Sequence, residues 1–569
     1  MATTDVQKSY RLSLNDLPTE LLEHIVSSID LNRSDRVLGH IPDDPPPNQP
    51  DPYLIRDFLA SCAPLCSLSL ASRRFRDIAQ KHIFTAPVLG GFAFRFPNDL
   101  SHARVAYFLR TIFARPDFRR YVKQIRLCFP RSGEPADQRS DPEESNLKAL
   151  PLNLVIQVVC PSRNFIEALN LPADIKEAWR SSMNLDYRYA LLRILRVLLP
   201  QIERFSLSEV SSDAWLYAQD RVLNVDGIDG LNMNAKMGLP CARNLKFLKL
   251  SSLTPIRLDG LNVFPNLDTL DISIKLAGLD NHEVQHLSRL YGGSDALETF
   301  RSIRHLRLDC QIKTVGIWDF SARSGMTHIL QAFPKLASLD FYAEASSEKN
   351  PFRSVRAFPH YQANIQTYPE APLLSDYDAS TGDTYWDERL YAARTEWTDY
   401  QYLVDSLVHV RPHLQFLRLP GGFWTLPGAT RKPLPRFELF SQLRRLALPQ
   451  AAILSTKLFN MRHPETVVGD FNLTPIDVLP PGLKYLEIFD ADSELLQSRW
   501  MQVLFEEHSA GGRWPDLQEM EFLFGPPFSD EELQNLLAKS SWTEFWTLAS
   551  RAAFQVHCKR DDKTPMVDM

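Results

Sequence analysis

No stretch of this chain is apolar enough, for long enough, to suggest a membrane span. The longest nearly apolar run, Leu150 to Cys160, covers about half the length that a spanning helix needs. The opening MATTDVQKSYRLSLNDLP carries no apolar core of the kind a signal peptide has, so a cytoplasmic or nuclear location is expected. Cysteine is sparse, with seven residues at 62, 66, 128, 160, 241, 310 and 558. Only Cys62 and Cys66 are close together, and no histidine or second cysteine pair follows at zinc-site spacing. Free thiols in a reducing compartment are the expected reading. An excess of positive charge is also missing: the formal net charge is -6. Such a chain lacks the broad positive field that nonspecific nucleic-acid binding requires, so neither nucleic acid nor membrane is expected as a partner.

Recognisable catalytic motifs are absent as well. There is no GxxxxGK[ST] or GxGxxG phosphate loop, no HExxH and no GxSxG elbow. His24, His82, His102 and His305 have no second ligand at metal spacing. The cluster Asp490-Ala491-Asp492-Ser493-Glu494 lacks the glycine-bearing loop and ordered distal Glu of a calcium site and reads as a helix cap. The arginines of SRRFR read as the solvated face of an amphipathic helix, and the PxxP match Pro47-Asn48-Gln49-Pro50 lies in an acidic setting that disfavours a ligand role. No catalytic residue, metal ligand or cofactor is assigned, and a non-catalytic protein is expected.

What the chain has is repetition. At 569 residues it needs several cores or one extended array. An apolar residue at i, i+3 and i+5 recurs in Leu245–Leu250, Leu267–Ile272, Ile303–Leu308, Leu336–Phe341, Leu414–Leu419, Leu443–Leu448, Leu483–Ile488 and Leu517–Phe522, with weaker early copies at Val122–Leu127 and Ile202–Leu207. Phe264-Pro265-Asn266, Phe333-Pro334-Lys335 and Trp514-Pro515-Asp516 lead into three of them. A proline there ends any preceding helix and lets the chain enter a strand. Positions i+3 and i+5 alternate as on a strand facing a core. Helical stretches such as Tyr187–Leu199, Glu283–Leu290 and Asp530–Leu537 fall between copies.

Strand plus helix, repeated, is the signature of a leucine-rich repeat. Starts at 245, 267, 303, 336, 414, 443, 483 and 517 are 22, 36, 33, 78, 29, 40 and 34 residues apart, too uneven for a regular array. The expected fold class is therefore α/β, an N-terminal helical module followed by a degenerate solenoid with long insertions. Insertions are expected at 131–147, polar and mobile, and at 343–383, rich in tyrosine and proline.

The N-terminal module is expected over 12–86. DLPTELLEHIVSSI at 16–29 predicts a helix capped by Asp16, with Pro18 in its first turn and Leu21, Ile25 and Ile29 on one face; Leu22 and Val26 widen the stripe. A proline-rich insertion at 30–53 follows, then a helix over Leu54–Ala60 and the segment APLCSLSLASRRFRDIAQKHIF.

Leu17-Pro18-Thr19-Glu20-Leu21-Leu22-Glu23-His24-Ile25, followed by Leu68-Ser69-Leu70-Ala71-Ser72-Arg73-Arg74-Phe75-Arg76-Asp77-Ile78-Ala79, resembles the F-box. In that family a three-helix module binds a Skp-type adaptor, and through it a cullin, while a C-terminal domain selects a protein for ubiquitination. The resemblance assigns adaptor contact to Leu17, Pro18, Leu21, Ile25, Leu68, Arg74 and Phe75, with Phe75 also a candidate for internal packing. It departs from the family in the roughly 35 residues that part the two halves; loop closure tolerates such an insertion because its cost grows only logarithmically. An F-box ahead of irregular leucine-rich repeats is similar to proteins of filamentous fungi. The other reading of 12–86 is a helical cap closing the solenoid at 87–569.

In each copy the residues flanking the middle apolar position face away from the core. Phe247, Lys249, His305, Arg307, Phe416, Arg418, Arg445 and Tyr485 are accordingly candidates for contact with a protein substrate, the basic portion lying between 305 and 445. Trp386, Tyr391 and Trp397 are expected on a helix after the tyrosine-rich insertion. The functions left open are a ligase receptor, a repeat scaffold with no part in ubiquitination, and an enzyme for which no motif speaks.

Overall fold

The computed structural model describes residues 17–34, 52–90, 101–129, 152–185, 194–195, 197–209, 240–252, 261, 264–276, 300–312, 330–345, 404–419, 437–453, 474–491, 493–524, 530–538, 542–552 and 554–560. The protein is α/β, with parallel strands and helices, and divides into two compact units, Met1–Lys246 and Phe247–Met569. No helix among the described residues is long and apolar enough to cross a membrane.

The first unit begins with three mutually packed helices, α1 (Thr19–Ser34), α2 (Pro52–Ala71) and α3 (Arg73–Thr85). Their shared core is Leu22, Val26, Leu65, Phe75 and Ile78, with Leu17, Leu68 and Ile83 packed against it. α1 runs to Ser34, past the Ile29 limit that the sequence suggests, since no glycine or proline interrupts it before Gly39. α2 is one continuous helix and carries Pro64 in its interior. That ring removes one backbone hydrogen bond, a cost of about 3 kcal/mol that the helix's packing must offset. Ser72 separates α2 from α3 and caps the latter, its Oγ accepting from the Phe75 amide at 3.2 Å.

Beyond α3 come β1 (Val88–Gly90), α4 (Ser101–Ala114), β2 (Gln124–Phe129), α5 (Leu152–Ala168), α6 (Ala173–Leu185) and β3 (Arg204–Glu209). The three strands pair in parallel. Phe84 at the end of α3 stacks on Phe108 of α4 at 5.6 Å and on Phe118 at 4.7 Å, which ties the helical trio to this strand-bearing part.

The second unit contains β4 (Phe247–Ser252), β5 (Thr269–Leu276), β6 (His305–Ile312), β7 (Ser338–Ala345), β8 (Phe416–Arg418), β9 (Arg445–Pro449), β10 (Tyr485–Ala491), β11 (Glu519–Phe524) and β12 (Gln555–Arg560), each parallel to the next in chain order. All eight strong copies of the apolar pattern coincide with strands β4 to β11. The i+3 and i+5 residues are buried throughout, from Leu248 and Leu250 to Met520 and Phe522. Each such side chain contributes about 1.5–3 kcal/mol of burial, an upper estimate because the unfolded chain already hides part of it.

The aromatic lead-ins do more than stop a helix. Phe264, Phe333 and Trp514 are fully buried, and their carbonyls accept from the Leu267, Leu336 and Leu517 amides at 3.2, 3.4 and 3.0 Å. Phe440 does the same for Leu443 at 3.0 Å without a proline.

A second regularity locks copies together. The carbonyls of Asp268, Arg304, Ala337, Gln415, Arg444 and Lys484, the second residue of each copy, accept two amides from the next copy; for Arg444 these are Lys484 at 2.8 Å and Tyr485 at 3.0 Å.

Three sequence expectations shift. β7 extends to Ala345, paired in register with Ile312, so residues 343–345 belong to the sheet rather than to the insertion expected from 343. The helix expected at Tyr187–Leu199 is described only at 194–195 and 197–198, and the one at Asp530–Leu537 is present with those bounds. β12 was not foreseen at all. The insertion at 131–147, the remainder of the one at 343–383, the cap Asp16, the helix at Glu283–Leu290, the PxxP match and Trp386, Tyr391 and Trp397 lie outside the described residues.

Candidate functional site

Two surfaces carry the residues singled out from the sequence, one in each unit. In the helical trio, α1 turns about one residue away from the expected stripe. Leu22 and Val26 are fully buried, while Leu21 is 50% exposed and Ile25 is half-buried. Leu17 and Leu68 are half-buried, packed on the module's own core, and Pro18 is exposed. Arg74 reaches back from α3 to α1 and donates to Thr19 Oγ1 at 2.7 Å. Phe75 is only 3% exposed and belongs to the core, so any part it has in binding is exerted through packing. Leu70, near the end of α2, is 79% exposed, and no pattern in the sequence singles it out. Large apolar side chains left in water next to a well-filled core are the feature to explain.

In the second unit the parallel register sets the outward residues in rows. One row reads Phe247, Thr269, His305, Ser338, Phe416, Arg445, Tyr485, Glu519, Gln555, and the next reads Lys249, Asp271, Arg307, Asp340, Arg418, Ala447, Glu487, Glu521, His557. All eight residues proposed from the sequence as substrate contacts are in these two rows. Beyond these rows Asp309 pairs with Tyr342 and Leu523 with Lys559.

Much of the charge on this face is neutralised internally. Lys249 meets Asp271 at 3.3 Å, Arg307 meets Asp340 at 3.9 Å, and His305 approaches Asp268 at 3.7 Å. Arg418 is the deepest, 7% exposed, and donates to Glu487 Oε1 at 2.5 Å. Tyr342 and Phe489 flank its guanidinium, their ring centres 4.6 and 4.5 Å from Cζ. Burial, the largest single influence, works to discharge Arg418, but Glu487, Tyr342 and Asp340 together outweigh it and hold its pKa above the ordinary arginine value.

At the far end Tyr485 donates its hydroxyl to Glu521, which also binds Lys559, and His557 faces Glu519 at 3.6 Å. Burial and the neighbouring carboxylates push the Tyr485 phenol upward. Burial alone would raise Glu521, yet Lys559 and Tyr485 together hold it below the ordinary carboxylate range.

Arg445 differs from the other cations. It is exposed, and its guanidinium lies between the Phe416 and Tyr485 rings at 5.8 and 4.8 Å. Among the described residues no group of three or more His, Cys, Asp or Glu could hold a metal ion. Asp271, Asp340, Glu487 and Glu521 of this face are each within ion-pair distance of a lysine or arginine.

No family model matches the chain, and no curated protein matches it in sequence.

Proposed function

We propose that this chain is a non-catalytic substrate-recognition subunit of a Skp–cullin–F-box ubiquitin ligase, acting in the cytoplasm, the nucleus or both. In this reading α1 to α3 form an F-box that docks on a Skp-type adaptor and, through it, a cullin. The second unit is an irregular leucine-rich-repeat domain that offers a protein substrate its outward rows. Ubiquitin transfer is performed by partner enzymes, and this chain contributes proximity.

The observation that carries the reading is the division of α1. Leu22 and Val26 fill the module's core while Leu21 stands half-exposed beside them, within the same Leu-Pro-Thr-Glu-Leu segment that resembles the adaptor-binding start of an F-box. A simple cap for a repeat array would call for a polar outer face there.

The test is co-expression of the full chain with a Skp-type adaptor and co-purification. Leu21→Asp places an uncompensated charge on the outer face and should abolish recovery of the adaptor while leaving the melting temperature unchanged. Leu17 is a poorer probe because it packs on the core. Undiminished adaptor binding by Leu21→Asp, or no binding by the wild-type chain, removes the F-box reading. Accumulation of a specific protein on deletion of the chain separates a receptor from a scaffold.

A further inference from the structure

On the outward rows of the second unit, Arg445 is the one cation among the described residues without an acidic partner. Its neighbours explain why it stays unpaired. Glu487, which could have reached it, is engaged by Arg418 at 2.5 Å, and Glu521 is held by Tyr485 and Lys559. Ala447, two residues along the same strand, is buried and too short to rise beside it. The guanidinium is nevertheless held in place: Phe416 on β8 and Tyr485 on β10 stand on its two sides, 5.8 and 4.8 Å away. The Tyr485 ring is itself anchored through its hydroxyl. Arginine offers a planar fork of donors that fits a carboxylate with two parallel hydrogen bonds. A fork already ordered by aromatic flanks loses little further freedom on binding.

We infer that Arg445 anchors the carboxylate of an aspartate or glutamate in a protein segment lying across β8 to β10, with apolar groups of that segment against Phe416 and Tyr485. The charge balance selects a carboxylate. One free cation matches one negative charge, whereas a phosphate dianion would leave a charge with no cation of its own, since Lys249, Arg307, Arg418 and Lys559 are already paired with acids. This deepens the substrate half of the proposed function and does not depend on adaptor binding.

The experiment selects a random displayed library of peptides about 12 residues long against the full chain and then measures the enriched peptides by fluorescence polarisation. Expected are peptides sharing one acidic residue, whose replacement by its amide weakens binding about tenfold, the size of a charge-assisted pair. In Arg445→Gln protein that replacement should make no further difference, and Arg445→Lys should recover only part of the affinity. Arg445 is exposed, so both variants should melt with the wild type.

Enrichment of no peptide, of peptides without a common acid, or of binding only when a serine or threonine is phosphorylated overturns the inference. Adaptor co-purification from the same preparations reports separately on the F-box. Its loss with peptide binding intact sinks the ligase reading and leaves this site standing.

Discussion

Arg418 on β8 and Glu487 on β10 join hands at 2.5 Å across the intervening strand β9, passing over Ala447. The small, fully buried alanine is what leaves room for the bridge. Ala447→Leu should force the pair apart and destabilise the second unit by about 2 kcal/mol, combining overpacking with a disrupted buried pair. Urea unfolding of the full chain reads this directly. An unchanged midpoint would mean the bridge does not depend on a short side chain there.

Removing one member of that pair is worse than removing both. Arg418→Met takes from Glu487 the partner that holds it at 2.5 Å and should cost about 3 kcal/mol, the low end for a broken buried pair because Arg445 is left within its reach. Arg418→Met with Glu487→Leu should regain most of the loss, as a double-mutant cycle in urea would show.

The two adjacent leucines of α1 should behave in opposite ways. Leu22→Ala empties a fully buried position and should cost about 2–5 kcal/mol. Leu21→Ala removes a half-exposed side chain and should stay within about 0.5 kcal/mol. Equal losses would place Leu21 in the core as well.

Glu521 gives the second unit a pH dependence of definite sign. Its folded pKa lies below the ordinary carboxylate value, so the stability it supplies is complete above that value and is lost as pH falls through the folded one. Glu521→Gln should therefore lower the melting temperature at pH 7, with a loss of about 1 kcal/mol from the broken hydrogen bonds. The difference should shrink steadily below about pH 4.

Thiol chemistry offers an independent check of burial. Burial pushes the Cys558 thiol up to about 12, whereas Cys66 and Cys160 are exposed. Iodoacetamide at pH 8 followed by peptide mass analysis should label Cys66 and Cys160 well before Cys558, because the thiolate is the reacting species. Simultaneous labelling of all three contradicts the placement of Cys558 on the inner face of β12.

The strand ladder was legible because its demand on the sequence is local: each copy must bury i, i+3 and i+5, and Leu486 or Leu306 announces that by itself. β12 escaped notice because an edge strand has a neighbour on one side only, and QVHCKR meets the pattern with no more than half-buried Val556 and Cys558. On α1, five apolar residues at 21, 22, 25, 26 and 29 leave the inward direction ambiguous by about one residue's rotation. Leu65 and Phe75, brought in from the other two helices, decide it in favour of Leu22 and Val26. The pairing on the outward rows was beyond sequence reasoning, since Arg418 and Glu487 are 69 residues apart and meet only through the register on either side of β9. A basic region between 305 and 445 was expected; register sets His305, Arg307 and Arg418 of it beside neighbouring acids and leaves Arg445 without one.

The doubly accepting carbonyls have a consequence for how such a chain can change over time. Because Arg444 fixes the entry of Lys484 and Tyr485, and Lys484 in turn fixes Gln518 and Glu519, each rung from β6 to β11 is aligned afresh by the one before it. Spacing errors cannot accumulate along the ladder. Segments as different as 29 and 78 residues between starts can be gained or trimmed at one rung while the rungs beyond keep their alignment.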